Sequence, residues 1–143
     1  MFDLDEPTPE MVLSFKPEEF RKIGMSNAKA SYVHNVARFA MEKGMENKKL
    51  GKMNNEEIIT YLTEIKGVGR WTVEMLLMFT LGREDVFAPD DMGIQAAMKN
   101  LYDIRITDNK KLRNKLLKIS ESWSPYRTYA CMHLWHYKDS AKK

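Results

Sequence analysis

Asp90 and Asp91 stand side by side where a helical pattern begins and runs on through Ala96, Ala97 and Leu101. Carboxylates in that place have two uses. They can accept hydrogen bonds from the first backbone N–H groups of the helix, which is what aspartates at helix starts usually do. Held in a cleft away from water, one of them can also stabilise a developing positive charge and orient a water molecule for attack. Upstream, Ile65 is followed by Lys66, then Gly67-Val68-Gly69 and Arg70-Trp71-Thr72. Glycine tolerates positive φ, so this spacing suits a tight chain reversal. A helix opening just after it has backbone N–H groups without intrahelical partners, and its dipole favours an anion such as a phosphate. Trp71 and Trp135 offer indole faces that attract cations and stack on flat bases. Tryptophans on apolar helix faces are nevertheless more often core.

The elements that must position these residues all read as helices. Thr8 caps a short one with Pro9 at its first position, ending near Ser14. Pro17 opens another that ends at Gly24. Ser26 caps a long helix to about Lys43, with the stripe Ala28, Tyr32, Val36, Ala37, Ala40 and Met41, stopped by Gly44. Residues 45–53 are polar and lysine-rich and read as loop. Asn54 with Glu57 forms a capping-box pattern ahead of Ile58, Ile59, Leu62 and Ile65. After the glycine turn, Trp71, Met75, Met78 and Phe79 share one face of a helix from about Arg70 to Leu81. Residues 82–89 connect it to the helix at Asp90 or Asp91. Asp108 caps the next helix, with Leu112, Leu116, Leu117 and Ile119 inside. Ser124-Pro125 opens the last, which carries Tyr129, Met132, Leu134 and Trp135. No segment alternates like a strand, and the five prolines fall in loops or first turns. The expected fold class is all-α, with residues 1–143 as a single helical domain.

Composition sets outer bounds. The 143 residues are enough to bury a core, with 43% hydrophobic and 30% charged residues. A net charge of +3, from 23 basic and 20 acidic residues, is compatible with nucleic acid without requiring it. The single cysteine, Cys131, excludes a disulfide or a multi-cysteine cluster within one chain and fits a reducing compartment. No apolar run is long enough to span a membrane, and the acidic opening MFDLDEPTPE lacks the apolar centre of a signal peptide. His34, His133 and His136 have no recognisable metal-ligand spacing.

Three pieces in order resemble the helix-hairpin-helix DNA glycosylases, most closely the 3-methyladenine DNA glycosylase II branch. They are the hairpin at 62–72, the string Asp85-Val86-Phe87-Ala88-Pro89-Asp90-Asp91, and WSPYRTYACMHLW from Trp123 to Trp135. Gly24-Met25-Ser26 with Lys29 matches as well. The resemblance covers nearly the whole chain. The hairpin alone is common to many DNA-binding proteins, but the ordered trio is far more specific. The family has a further helical segment upstream, so the chain is expected to represent the C-terminal part of such a core. The surface left by that segment is expected to be covered by a homodimer partner or a second chain.

The resemblance implies a monofunctional glycosylase that hydrolyses the N-glycosidic bond of alkylated purines in double-stranded DNA, as in base excision repair. It assigns Asp91 as the catalytic carboxylate, since the family's aspartate lies three residues before the apolar position occupied by Ile94; Asp90 is then left to cap. It places Trp71, Met75 and Trp135 in the base pocket, with Trp123 as core. Backbone N–H groups of Gly67, Gly69 and Thr72 are expected on a DNA phosphate, with Lys66 and Arg70 adding charge. Carbonyls of Thr63, Ile65 and Gly67 match those that hold a structural Na+ or K+; no other cofactor is required. Family members that also cut the strand have a lysine where Trp71 stands, so lyase chemistry is not expected. One cysteine likewise excludes the iron–sulfur branch. The expected location is the nucleoid-bearing cytoplasm of a prokaryote, or a nucleus. The alternatives are a non-catalytic helix-hairpin-helix DNA-binding module, a truncated relative, or an all-α interaction domain without DNA affinity.

Overall fold

In the computed structural model, which describes residues 6–140, every regular element is helical and no strand occurs among the described residues. The fold class is all-α. The acidic opening at residues 1–5 lies outside the described residues. The helices are α1 (Pro9–Ser14), α2 (Pro17–Lys22), α3 (Asn27–Lys43), α4 (Asn47–Leu50), α5 (Asn55–Leu62), α6 (Arg70–Phe79), α7 (Met92–Leu101), α8 (Asn109–Ser120) and α9 (Arg127–Ser140), with a 3-10 turn at Glu121–Trp123. No helix among the described residues is long and apolar enough to cross a membrane. The chain packs as two compact units, Met1–Val73 and Glu74–Lys143.

Side-chain caps fix most boundaries in the first unit. Thr8 Oγ1 accepts the Met11 N–H at 3.3 Å, and Ser26 Oγ accepts that of Lys29 at 3.3 Å. Asn54 and Glu57 exchange bonds of 2.9 and 2.7 Å, a complete capping box. α1 and α2 both pack on α3, closing a small core of Val12, Phe20, Ala30 and Ala37 with Leu13, Phe15, Met25 and Val33 against it. Edge-on aromatic contacts extend it, Phe20 to His34 at 5.4 Å and Phe39 to Tyr61 at 4.9 Å. The inner stripe of α3 is rotated from the expected one. Ala30, Ala37 and Phe39 are buried, whereas Ala28, Tyr32 and Met41 are exposed. The helix meets α1 and α2 on one side and α5 on another, so it buries no single narrow face.

The stretch expected as loop contains α4. Its lysines are not merely solvated: Lys49 Nζ donates to Tyr61 Oη at 2.7 Å, and Tyr61 Oη donates to the carbonyls of Lys43 and Gly44 at 2.8 and 2.9 Å. A long-range tie to Tyr61 thus orders a segment whose own composition favours coil.

In the second unit α7 packs on α9. Ile94, Ala97, Met98, Leu112, Leu116, Cys131 and Leu134 are buried. Trp123 meets Phe87 edge-on at 5.9 Å, in keeping with a packing role. Helix α9 starts at Arg127, later than the Ser124-Pro125 boundary expected.

Candidate active site

The connector between α6 and α7 is held from α9. Arg127 makes a forked pair with Asp85, Nε to Oδ1 at 2.6 Å and Nη2 to Oδ2 at 2.8 Å, and Ser124 Oγ donates to Asp85 Oδ2 at 2.9 Å. The guanidinium holds the Asp85 carboxyl down at a pKa of about 2 against the opposing effect of burial, and the same bond raises the pKa of Arg127. The next residue, Thr128, accepts the Val86 N–H on its Oγ1 at 3.0 Å and donates from it to the Arg83 carbonyl at 2.7 Å, while the Thr128 N–H donates to the Glu84 carbonyl at 2.9 Å. Val86, Phe87, Ala88 and Pro89 are consequently buried. Gln95 Nε2 closes the turn onto the Pro89 carbonyl at 2.9 Å. These bonds fix the backbone that delivers Asp91.

Asp91 is itself the N-cap of α7. Its Oδ1 accepts the Ile94 N–H at 2.8 Å and the Trp135 indole N–H at 2.9 Å. The expected division of labour, with Asp90 capping and Asp91 facing a cleft, is therefore wrong in its first half. Asp90 instead pairs with Arg113 on α8 at 3.3 Å. The physical reason is register: an N-cap must sit immediately before the first helical residue, and that residue is Met92. Capping and chemistry converge on one carboxyl.

Trp135 has its polar edge on Asp91 and its ring against Phe79, centroids 5.9 Å apart with planes 32° from parallel. Phe79 is 60% exposed and Met92 84% exposed. The periodicity of α6 groups Phe79 on one face with Trp71, Met75 and Met78. The face actually buried is Val73, Glu74, Leu77 and Met78. Glu74, at 1% exposure, is a carboxyl the sequence reading missed. Together with Asp91 it pushes up the pKa of the Cys131 thiol, which burial above all raises to about 12. Trp71 opens α6 at the end of the first unit and is 47% exposed, so it is not core. Met75, one turn further along α6, is half-buried. Within the second unit the structure thus brings Asp91 and Trp135 together.

The hairpin at 62–72 belongs to the first unit. Gly67 takes φ +98° and Gly69 does not take a positive φ. A Cβ at Gly67 would come within 2.0 Å of the Tyr32 ring, whereas at Gly69 it would meet nothing within 4 Å. Backbone conformation and close packing thus both call for glycine at the first position, whereas a side chain at the second would find open space. The turn is closed by the Val68 N–H on the Ile65 carbonyl at 3.0 Å and anchored by Asn35 Nδ2 on the Lys66 carbonyl at 2.9 Å. Gly69 O accepts the Val73 N–H at 3.3 Å, which puts Thr72 in the first helical turn, where N–H groups have no intrahelical acceptor. Arg70 forks onto Glu56, with Nη1 to Oε2 at 3.0 Å, so much of its charge is already neutralised.

A cleft of about 430 Å³ in the first unit is bounded by α1, α3 and this hairpin, and its walls are chiefly Val33, Val36, Ala37, Ala40 and Val68. Neither Asp91 nor Trp135 is among the residues that line it. Among the described residues no group of three His, Cys, Asp or Glu side chains could hold a metal ion.

A buried turn delivering one aspartate to a helix start, with a Gly-Val-Gly hairpin earlier in the sequence of an all-helical chain, is the arrangement of a helix-hairpin-helix base-excision protein. The sequence profile of the HhH-GPD superfamily of base excision DNA repair proteins matches residues 1–122, and the chain belongs to that family. It is 34% identical over 129 residues to a putative DNA-3-methyladenine glycosylase of Bacillus subtilis, covering 90% of this chain and 44% of that protein. It is 38% identical over 130 residues to DNA-3-methyladenine glycosylase 1 of Schizosaccharomyces pombe, covering 90% and 56%. The solved structure of the S. pombe 3-methyladenine DNA glycosylase in complex with abasic DNA superposes with a TM-score of 0.79 at 36% identity, over 90% of this chain and 62% of that one. The chain therefore spans roughly half the length of the relatives it matches.

Proposed function

We propose that the chain carries the active centre of a monofunctional DNA glycosylase that hydrolyses the N-glycosidic bond of alkylated purines in double-stranded DNA. The observation that carries this reading is the Asp91–Trp135 pair: a carboxyl oxygen held at once by a helix-start N–H and an indole N–H. As the bond from sugar to base breaks, positive charge grows on the sugar. A carboxylate whose position is fixed before the reaction stabilises that charge without reorganising. An N-alkylated purine is already cationic and leaves as a neutral molecule, so no acid is needed to expel it. The indole rings of Trp135 and Trp71 and the side chain of Met75 supply stacking and cation–π surface for the extruded base. Trp71 has no amine, and the expected product is an abasic site.

On this reading the N–H groups of Gly67, Gly69 and Thr72 bind a phosphate, a contact that positions DNA without reading its sequence. Carbonyls of Thr63, Ile65 and Gly67 suit a monovalent cation. Ile65 O spends one lone pair on Val68 and keeps a second. A bound cation would add charge beside the phosphate. A homodimer partner or a second chain over the remaining surface belongs to the same proposal, as does a location with the DNA, in nucleoid or nucleus. The relatives' greater length favours one second reading, a DNA-binding portion that is inactive by itself.

Incubating the protein with methylated duplex DNA, then heating in alkali, tests the proposal. Strand breaks at purines are expected with the natural chain and at least a hundredfold fewer with Asp91→Asn. Equal cleavage by both would remove Asp91 from the mechanism; DNA binding without any breaks would favour the second reading.

A further inference from the structure

A Cβ placed on Gly93 would lie 3.0 Å from Asp91 Oδ1, 3.2 Å from Trp135 Cδ1 and 3.3 Å from Lys138 Nζ. A carboxylate, an indole edge and an ammonium thus surround one point over the first turn of α7. Gly93 is buried, and the absence of a side chain there lets the three groups close in on one another; any side chain would press on all three. Trp135 and Lys138 are three residues apart on α9, hence on one face, and α9 packs on α7. Lys138 is half-buried, so its ammonium is less screened than that of a surface lysine.

We propose that Lys138 is a specificity-determining residue that extends the substrate range to neutral purine lesions bearing a carbonyl or ring-nitrogen acceptor, at the expense of cationic ones. The proposal rests on the glycosylase reading above. A cationic base entering beside Lys138 meets like charge, and this opposes the attraction of Asp91 and the indole. A neutral purine instead departs with negative charge building on its ring. An ammonium near the departing atoms stabilises that charge and donates a hydrogen bond to the acceptor. At separations of several ångströms in a half-exposed site, one unit charge acting with opposite sign on the two departures is worth about a tenfold change in the ratio of their rates.

The test compares single-turnover release of hypoxanthine and of 7-methylguanine from otherwise identical duplexes, using the full chain and Lys138→Met, Lys138→Gln and Lys138→Arg. The hypoxanthine-to-7-methylguanine rate ratio is expected to fall about tenfold in the Met and Gln variants, with 7-methylguanine release rising, and to be restored in the Arg variant. Thermal unfolding of each variant identifies any that fails to fold, and the Met and Gln variants serve as replicates of one another. A ratio that falls less than threefold in the folded neutral variants overturns the proposal, as does natural protein that releases 7-methylguanine but no hypoxanthine. Natural protein that releases neither base overturns the glycosylase reading instead.

Discussion

Asp91 has two tasks that substitution can separate. As a cap it accepts the Ile94 N–H, and as an anion it accepts the Trp135 indole N–H. Asparagine caps a helix as well as aspartate does, so Asp91→Asn keeps the first bond and turns the second from charge-assisted to neutral. The expected loss of stability is about 1 kcal/mol, or roughly 3–4 °C in unfolding midpoint for a chain of this size. Asp91→Ala removes both bonds and leaves the half-buried indole N–H without that acceptor. A lost cap at about 1 kcal/mol and a lost charge-assisted bond at about 2 give roughly 3 kcal/mol, near 10 °C. Base release should behave differently. Both variants lack the anion, and both should fall by a factor of a hundred or more, about 3 kcal/mol of transition-state stabilisation. Melting curves and single-turnover base release on the same preparations form the assay. If Asp91→Asn lost as much stability as Asp91→Ala, or retained activity while Asp91→Ala did not, the carboxyl would be a structural cap and the chemical assignment would fail.

Other outcomes follow from the same geometry. The pKa of Asp85 is depressed in the fold from 3.8 to about 2, so its pairing with Arg127 stabilises the native state above about pH 4, and that stabilisation drains away as pH falls towards 2. The pair is about 30% exposed, which trims its worth to about 1–2 kcal/mol. Asp85→Asn should lower the melting midpoint at pH 7 and flatten its fall between pH 4 and 2; parallel pH profiles for the two proteins would contradict this. Gly67→Ala meets both φ +98° and the Tyr32 ring and should cost at least 2 kcal/mol by denaturant titration. Gly69→Ala should melt within about 2 °C of the natural protein while weakening DNA binding, and a large loss of stability there would refute the distinction. Burial raises the Cys131 thiol to about 12, so a thiol reagent at pH 8 should label it only on unfolding. Rapid labelling of native protein would show that α9 opens.

Helix caps and turns were legible in the chain because their signals are local. Thr8, Ser26, Asn54 and Asp108 each bond a backbone N–H three residues on, and a string of four residues holds all the information needed. The string Gly67-Val68-Gly69 likewise announced a turn, though it could not say that only the first glycine takes positive φ, nor that the Tyr32 ring on α3 occupies the space a side chain there would need. The exposed faces of α3 and α6 differ from the expected ones because an apolar stripe does not reveal how many neighbours a helix meets.

By itself the sequence determined an all-helical chain, a glycine turn between two helices, and an aspartate at a helix start, since each depends on backbone propensity or capping within a few residues. Only tertiary structure decided that this aspartate is both cap and indole partner, that Arg127 and Asp85 hold its loop across 42 residues of sequence, and that Lys138 shares its site. Those relations join α9 to a connector and a helix start from which two intervening helices, α7 and α8, separate it in sequence. They arise when two apolar helix faces dock, and docking sets which polar groups meet, whatever their distance along the chain.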